Sequence, residues 1–245
     1  MANDVSYVKT GIPGVDSVLK GGIYPSSAVT ISGPPGSGKS IFGMQFIYYG
    51  AKDYGEDGLI ISVEESNTSL SEYARSIGWG EWDSLVEKGA ITVISNDYFM
   101  KTDLPGSLEG ILEMIQNTTA KRLVLDSINL FKYYFPEDID RRRYLLKFIR
   151  ILKRKSITTL LLSEVMEIFP HLPLTEEMYL SDGNIFLFMS RLGNNVERCF
   201  WVTKMRRQDF NMNIVPMGIG KGGIEVYADS IPYSLEVESD RRERL

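Results

Sequence analysis

The chain predicts an α/β fold in which a mostly parallel central sheet carries helices on both faces and continues into a C-terminal antiparallel extension. Three observations predict it. Short runs rich in β-branched and aliphatic residues alternate with amphipathic stretches over the first two thirds of the sequence. Those runs are apolar almost throughout, as strands covered on both faces must be. The last third holds strand-like runs with no long helix between them. In order, the strands are expected at 28–32 (AVTIS), 58–63 (GLIISV), 90–94 (AITVI), 122–126 (RLVLD) and 158–163 (TTLLLS), then at 183–189, 196–204 and 223–227. Helices are expected at 39–54, 70–78, 108–117 and 142–155.

Composition bounds the answer. The 245 residues are 43% hydrophobic and 24% charged, enough to bury a sizeable core and unlike a disordered chain. No repeat or linker interrupts them, so one domain over 1–245 is expected. The longest apolar stretches, 157–162 and 185–189, are far too short to cross a bilayer. The opening MANDVSYVKTGIPG lacks a basic start followed by an apolar block. A cytoplasmic protein without membrane partners is therefore expected. One cysteine, Cys199, and one histidine, His171, exclude a disulfide framework and a cysteine- or histidine-based metal cluster. His171 reads as a loop residue and the Cys199, Trp201 and Val202 group as core.

The net charge of −5 does not favour nucleic acid, but residues 141–155 carry eight cations and no acid. That stretch is either the solvated face of a helix or a phosphate-binding face. Tyr133, Tyr134 and Phe135 beside it either bury against the sheet or stack on single-stranded bases.

The strongest chemical signal is Gly33-Pro34-Pro35-Gly36-Ser37-Gly38-Lys39-Ser40, followed by Ile41. It has the spacing G-x-x-x-x-G-K-S and sits between an expected strand and an expected helix. The glycines let successive backbone N–H groups turn inward on a phosphate chain, and the helix adds the positive end of its dipole. Lys39 is placed to reach the β- and γ-phosphates of ATP, and the Ser40 hydroxyl to take one position on Mg²⁺. Asp126 ends an apolar strand at the carboxyl edge of the sheet, where ligands collect, and is the expected second holder of the metal, through a water. Glu64 and Glu65 follow another strand to the same edge. One of them is the expected general base for an attacking water, Glu64 ahead of Glu65; Glu65-Ser66-Asn67 also reads as a helix N-terminus.

Taken together, several motifs give a closer match. Thr10-Gly11-Ile12-Pro13-Gly14-Val15-Asp16, Gly21-Gly22-Ile23, the phosphate loop, Glu64-Glu65, Asp126-Ser127, Asp182-Gly183 and Lys204-Met205-Arg206 resemble the KaiC-like branch of the RecA-superfamily ATPases. The resemblance spans 10–227. It implies a RecA-like P-loop fold and Mg²⁺-dependent ATP hydrolysis between subunits packed head to tail in a homo-oligomer, a hexameric ring being expected. It further implies that Lys204 and Arg206 act on the γ-phosphate held by the neighbouring subunit. Without the resemblance, those two cations would read as charges protecting an edge strand.

Departures from the family pattern limit what carries over. Arg207 and Phe210 stand where the family commonly has glycine and histidine, so contacts to ribose or base differ. Met178 and Tyr179 replace the phosphorylated Ser/Thr pair of the clock protein, which removes that autophosphorylation. No domain resembling those added to recombinases such as RadA is visible. Two rivals remain: an ATP-switched scaffold that hydrolyses little, and a nucleic-acid-dependent ATPase. Ser163-Glu164, at the end of the fifth strand, is either a γ-phosphate sensor through the Ser163 hydroxyl or an ordinary strand end. The protein partner is not named by the sequence.

Overall fold

A computed structural model describes residues 5–101, 104–166 and 175–235. His171 and most of the loop after the fifth strand lie outside the described residues, as does the Tyr133 side chain. In chain order the elements are α1 (Val15–Val18), β1 (Ala28–Gly33), α2 (Lys39–Tyr54), β2 (Gly58–Ser62), α3 (Asn67–Ser76), α4 (Trp82–Glu87), β3 (Ile91–Ile94), α5 (Asn96–Lys101), α6 (Leu104–Asn117) and β4 (Arg122–Asp126). There follow α7 (Leu130–Tyr134), α8 (Asp138–Arg154), β5 (Thr158–Glu164), α9 (Glu176–Leu180), β6 (Gly183–Leu192), β7 (Asn195–Met205), β8 (Val215–Gly220) and β9 (Gly223–Val226).

The nine strands form one sheet in the order β3-β2-β4-β5-β1-β6-β7-β8-β9. Pairing is parallel from β3 through β6 and antiparallel from β6 onward. The parallel strands alternate their side chains between two cores. Val29, Ile31, Ile60, Val124, Leu160 and Leu162 pack on the side of α2. Leu59, Ile61, Leu123, Leu125 and Leu161 pack on the side of α6 and α8. A period of two, with both sets buried, is what makes these strands read as unbroken apolar runs.

Two core features have no counterpart in the sequence motifs. Arg122 opens β4 and is fully buried. Its Nε donates to Glu56 at 2.6 Å, its Nη1 to the Phe46 carbonyl at 3.0 Å, and its guanidinium lies 4.6 Å from the Phe46 ring centre. Gly50 leaves room for it, since a Cβ there would stand 2.4 Å from Arg122 Cδ. The second feature is an aromatic stack: Tyr48 on Trp79 at 5.0 Å and Trp79 on Trp82 at 6.1 Å. Trp79 Nε1 donates to the Gly222 carbonyl at the β8–β9 turn, 2.9 Å away.

The basic stretch forms α8, with Leu145, Phe148, Ile149 and Leu152 buried and Arg142, Arg143, Lys147 and Arg150 exposed. Phe135 and Tyr134 are half-buried against the second core. Cys199 is fully buried with Trp201 half-buried beside it, while Val202 is fully buried in the main core on the other face. Among the described residues no helix is long and apolar enough to cross a membrane.

Candidate nucleotide site

The phosphate loop leaves the carboxyl end of β1 and enters α2. Gly36 and Gly38 have φ of 78° and 103°, the left-handed region that side chains disfavour, which is why the turn needs glycine there. Gly38 is also the N-cap of α2, so the first-turn N–H groups of that helix open toward the loop. Lys39 is 8% exposed, and its ammonium donates to the Gly33 and Pro34 carbonyls at 3.0 and 3.1 Å. Burial lowers its pKa, opposed by Glu164, Asp126 and Glu64.

Beside the loop lies a cleft of about 820 Å³. Pro35, Gly36, Gly38, Lys39, Ser40, Ile41, Glu64, Glu65 and Asp126 all border it. Gly33, Pro34 and Ser37 form the floor of the loop instead; Ser37 is fully buried and its N–H donates to the Pro34 carbonyl. Asp126 sits against the Ser40 hydroxyl, and burial, together with Glu64 and Glu164, raises its carboxyl pKa. A carboxylate made costly by desolvation beside a hydroxyl is a fit place for a hard divalent cation. No group of three or more His, Cys, Asp or Glu side chains suited to a metal occurs among the described residues. Ser40 and Asp126 are oxygen donors of the kind that suit Mg²⁺, which takes few protein ligands and completes its shell with water and phosphate. Ser66 does cap α3, accepting from the Ser69 N–H at 3.0 Å, so Glu64 and Glu65 stand directly before a helix start.

The far wall of the cleft was not visible in the motifs. Helix α3 contributes Ser69, Leu70, Glu72, Tyr73 and Ser76, β5 contributes Glu164, β7 Arg198 and β8 Ile219. The recurrence at 69, 72, 73 and 76 marks one helical face, a signal the sequence does carry. Arg198 and Ile219 are brought there only by the antiparallel strands.

Lys204 and Arg206 are not in this cleft. They sit where β7 ends, across β6 from the start of β1, a level five residues upstream of the phosphate loop, or roughly 17 Å along the strand. Lys204 Nζ donates to the carbonyls of Met178 (2.8 Å), Ser181 (2.7 Å) and Tyr179 (3.4 Å). Arg206 donates to the Tyr179 carbonyl at 3.3 Å. Between them lies Asp182, 3% exposed, which accepts from the Ala28 N–H at 3.0 Å and pairs with Lys153 at 2.7 Å. Arg207 and Arg206 stand 3.7 and 3.9 Å from the same carboxylate. Arg207 also lies 4.2 Å from the Tyr24 ring centre, and Phe210 packs on the main core. The Ser163 hydroxyl is buried and bonded to Glu177; it does not border the cleft, whereas Glu164 does.

Residues 8–231 match the family model described as "ATPase: KaiC". The chain is 31% identical to the UPF0273 protein PH0284 of Pyrococcus horikoshii over 91% of its own length and 95% of that protein. It is 28% identical to the circadian clock oscillator protein KaiC of Prochlorococcus marinus, covering 91% of this chain and 45% of that longer protein. Among solved structures, the KaiC-like protein PH0186 of Pyrococcus horikoshii superposes with a TM-score of 0.80 at 32% identity, over 91% of this chain and 99% of the other.

Proposed function

Because the chain belongs to the KaiC family of ATPases, and so has the RecA-like fold of that family, we propose that it is a Mg²⁺-dependent ATPase whose sites are completed between neighbouring copies. The observation that carries this reading is the Lys39 ammonium, buried and aimed across the loop by two backbone carbonyls, with Ser40 and Asp126 beside it. The loop N–H groups and Lys39 bind the phosphates, and Ser40 and Asp126 hold the cation, which neutralises charge on the leaving phosphates when bound. Glu64 or Glu65 takes the proton of the attacking water; both border the cleft next to Asp126. Tyr73 and Ile219 offer the base an apolar slot at the far wall.

The cleft brings together Glu64, Glu65, Glu72, Asp126 and Glu164 against Lys39 and Arg198. Such an excess of negative charge opposes a triphosphate unless further cations arrive. Lys204 and Arg206 cannot supply them within one chain, being at the other end of the strands. We therefore assign them to the cleft of the next copy, in a head-to-tail homo-oligomer that closes as a ring of six. The single domain spans 1–245, and the protein works in the cytoplasm.

Titration with a fluorescent ATP analogue and a phosphate-release assay test the reading. Binding is expected to tighten with Mg²⁺, and Asp126→Asn to raise the Mg²⁺ needed for half-maximal turnover by about tenfold. Turnover that survives chelation of Mg²⁺ would sink it.

A further inference from the structure

Glu177 has no part in the chemistry above, yet it is a carboxylate with only 5% exposure on α9. A carboxylate is costly to bury without a partner. The Ser163 hydroxyl supplies one, donating to Glu177 Oε1 at 2.6 Å. Ser163 is itself fully buried near the end of β5, and the next residue, Glu164, borders the cleft and acts on Lys39. One end of α9 is thus tied to the strand that edges the nucleotide site.

The other end of α9 holds the distant cations. The carbonyls of Met178 and Tyr179, and that of Ser181 just beyond the helix, take the Lys204 ammonium; Tyr179 also takes Arg206. The carbonyl of Met178 further accepts from the Ser181 hydroxyl and the Asn184 amide, both at 3.2 Å, and those two side chains bond each other at 2.7 Å. A five-residue helix therefore lies between the strand that edges the cleft and the pair of cations, held near its start by the Glu177–Ser163 bond and the Glu176–Arg141 pair at 3.6 Å, and farther along by main-chain carbonyls. If the start slips, the carbonyls that orient Lys204 move with it, because a helix this short has no slack of its own.

We propose that Glu177 is a positioning residue: through its bond to Ser163 it seats α9, and α9 sets Lys204 and Arg206 where they reach the neighbouring subunit's γ-phosphate. The inference rests on the assignment of those cations to the next copy. It makes each subunit's cleft and the service it gives its neighbour two ends of one rigid connection.

The test uses the full-length protein and two substitutions. Glu177→Leu occupies similar space with no acceptor, whereas Glu177→Gln keeps an oxygen for the Ser163 hydroxyl. Glu177→Leu is expected to lower kcat at least ~10-fold while affinity for a fluorescent ATP analogue stays within about twofold, the signature of an interaction felt only in turnover. Glu177→Gln should recover most of the rate. The decisive experiment mixes Glu177→Leu in equal amounts with a Glu64→Gln/Glu65→Gln double variant, which keeps its cations but cannot activate water. The double variant does not turn over alone and Glu177→Leu does so only slowly; in the mixture about a quarter of head-to-tail contacts pair a sound cleft with sound cations, and activity should rise above that of Glu177→Leu toward that proportion. Arg206→Ala mixed with the same double variant is the control.

Recovery with Arg206→Ala but none with Glu177→Leu would overturn the role of Glu177 alone. Recovery with neither would overturn the assignment of Lys204 and Arg206 to the neighbour, and this inference with it. Normal turnover by Glu177→Leu, or a parallel loss of nucleotide affinity, would also overturn it. Should Glu177→Leu not fold, Ser163→Ala, which deletes only the donor, is judged by the same outcomes.

Discussion

The two ends of the parallel strands are built as opposites. At the carboxyl end, Glu64, Glu65, Glu72, Asp126 and Glu164 gather around an open cleft with a buried lysine at its floor. At the amino end, Lys153, Lys204, Arg206 and Arg207 gather around a single buried aspartate, Asp182. Each end carries a surplus that the other could offset. Burial and the neighbouring Arg206 charge lower the pKa of Lys204, as expected where cations crowd. Opposite surpluses on opposite ends favour contact of one molecule's head with another's tail over head-to-head pairing.

This contrast can be broken by substitutions at either end, and the largest effect is expected from the cationic one. Arg206→Ala should lower turnover by about 10³-fold, the scale of an arginine supplied from outside the site, while leaving ATP affinity almost unchanged. Steady-state phosphate release and a nucleotide titration on the same sample check it; equal loss of both would return Arg206 to a structural role. Lys39→Ala at the acidic end should do the reverse of the split, weakening ATP binding by about 100-fold, or about 3 kcal/mol. Asp182→Asn should leave the cleft intact but lower stability by roughly 1–3 kcal/mol, since Lys153 and two arginines lose their counter-charge. A urea midpoint shift at constant slope is the reading expected. The smallest effect is that of salt: raising ionic strength should reduce the apparent mass in light scattering before it affects nucleotide binding by single subunits.

Much of this was legible in the sequence because it is local. The strand 122–126 is predicted and found at the same bounds, as is the helix 39–54, since apolar runs and a glycine-to-lysine boundary mark them. Strand β8 was missed: Val215–Gly220 contains Pro216, Gly218 and Gly220, residues that weaken a strand pattern, and it stands near the sheet edge where they are tolerated. Short α4, α5, α7 and α9 were missed because one or two turns carry too little periodicity. Arg122 gave no sign of burial, because its partners Glu56 and Phe46 lie far back in the chain.

The site divides the same way. Its phosphate loop, Asp126 and the Glu64-Glu65 pair declare themselves through order along the chain. Arg198 and Ile219 join the cleft only once β7 and β8 have added to the sheet beyond β6, so no spacing rule finds them. Nor does any reveal that Ser163 turns away from the cleft toward Glu177.

The stacked Tyr48, Trp79 and Trp82 rings have a practical use. Trp79 is bonded to Gly222 in the same turn whose preceding strand places Ile219 on the cleft wall. Indole emission is sensitive to such hydrogen bonding and stacking. An unlabelled sample should therefore report, by its own ultraviolet fluorescence, when the β8–β9 turn shifts against the body of the molecule.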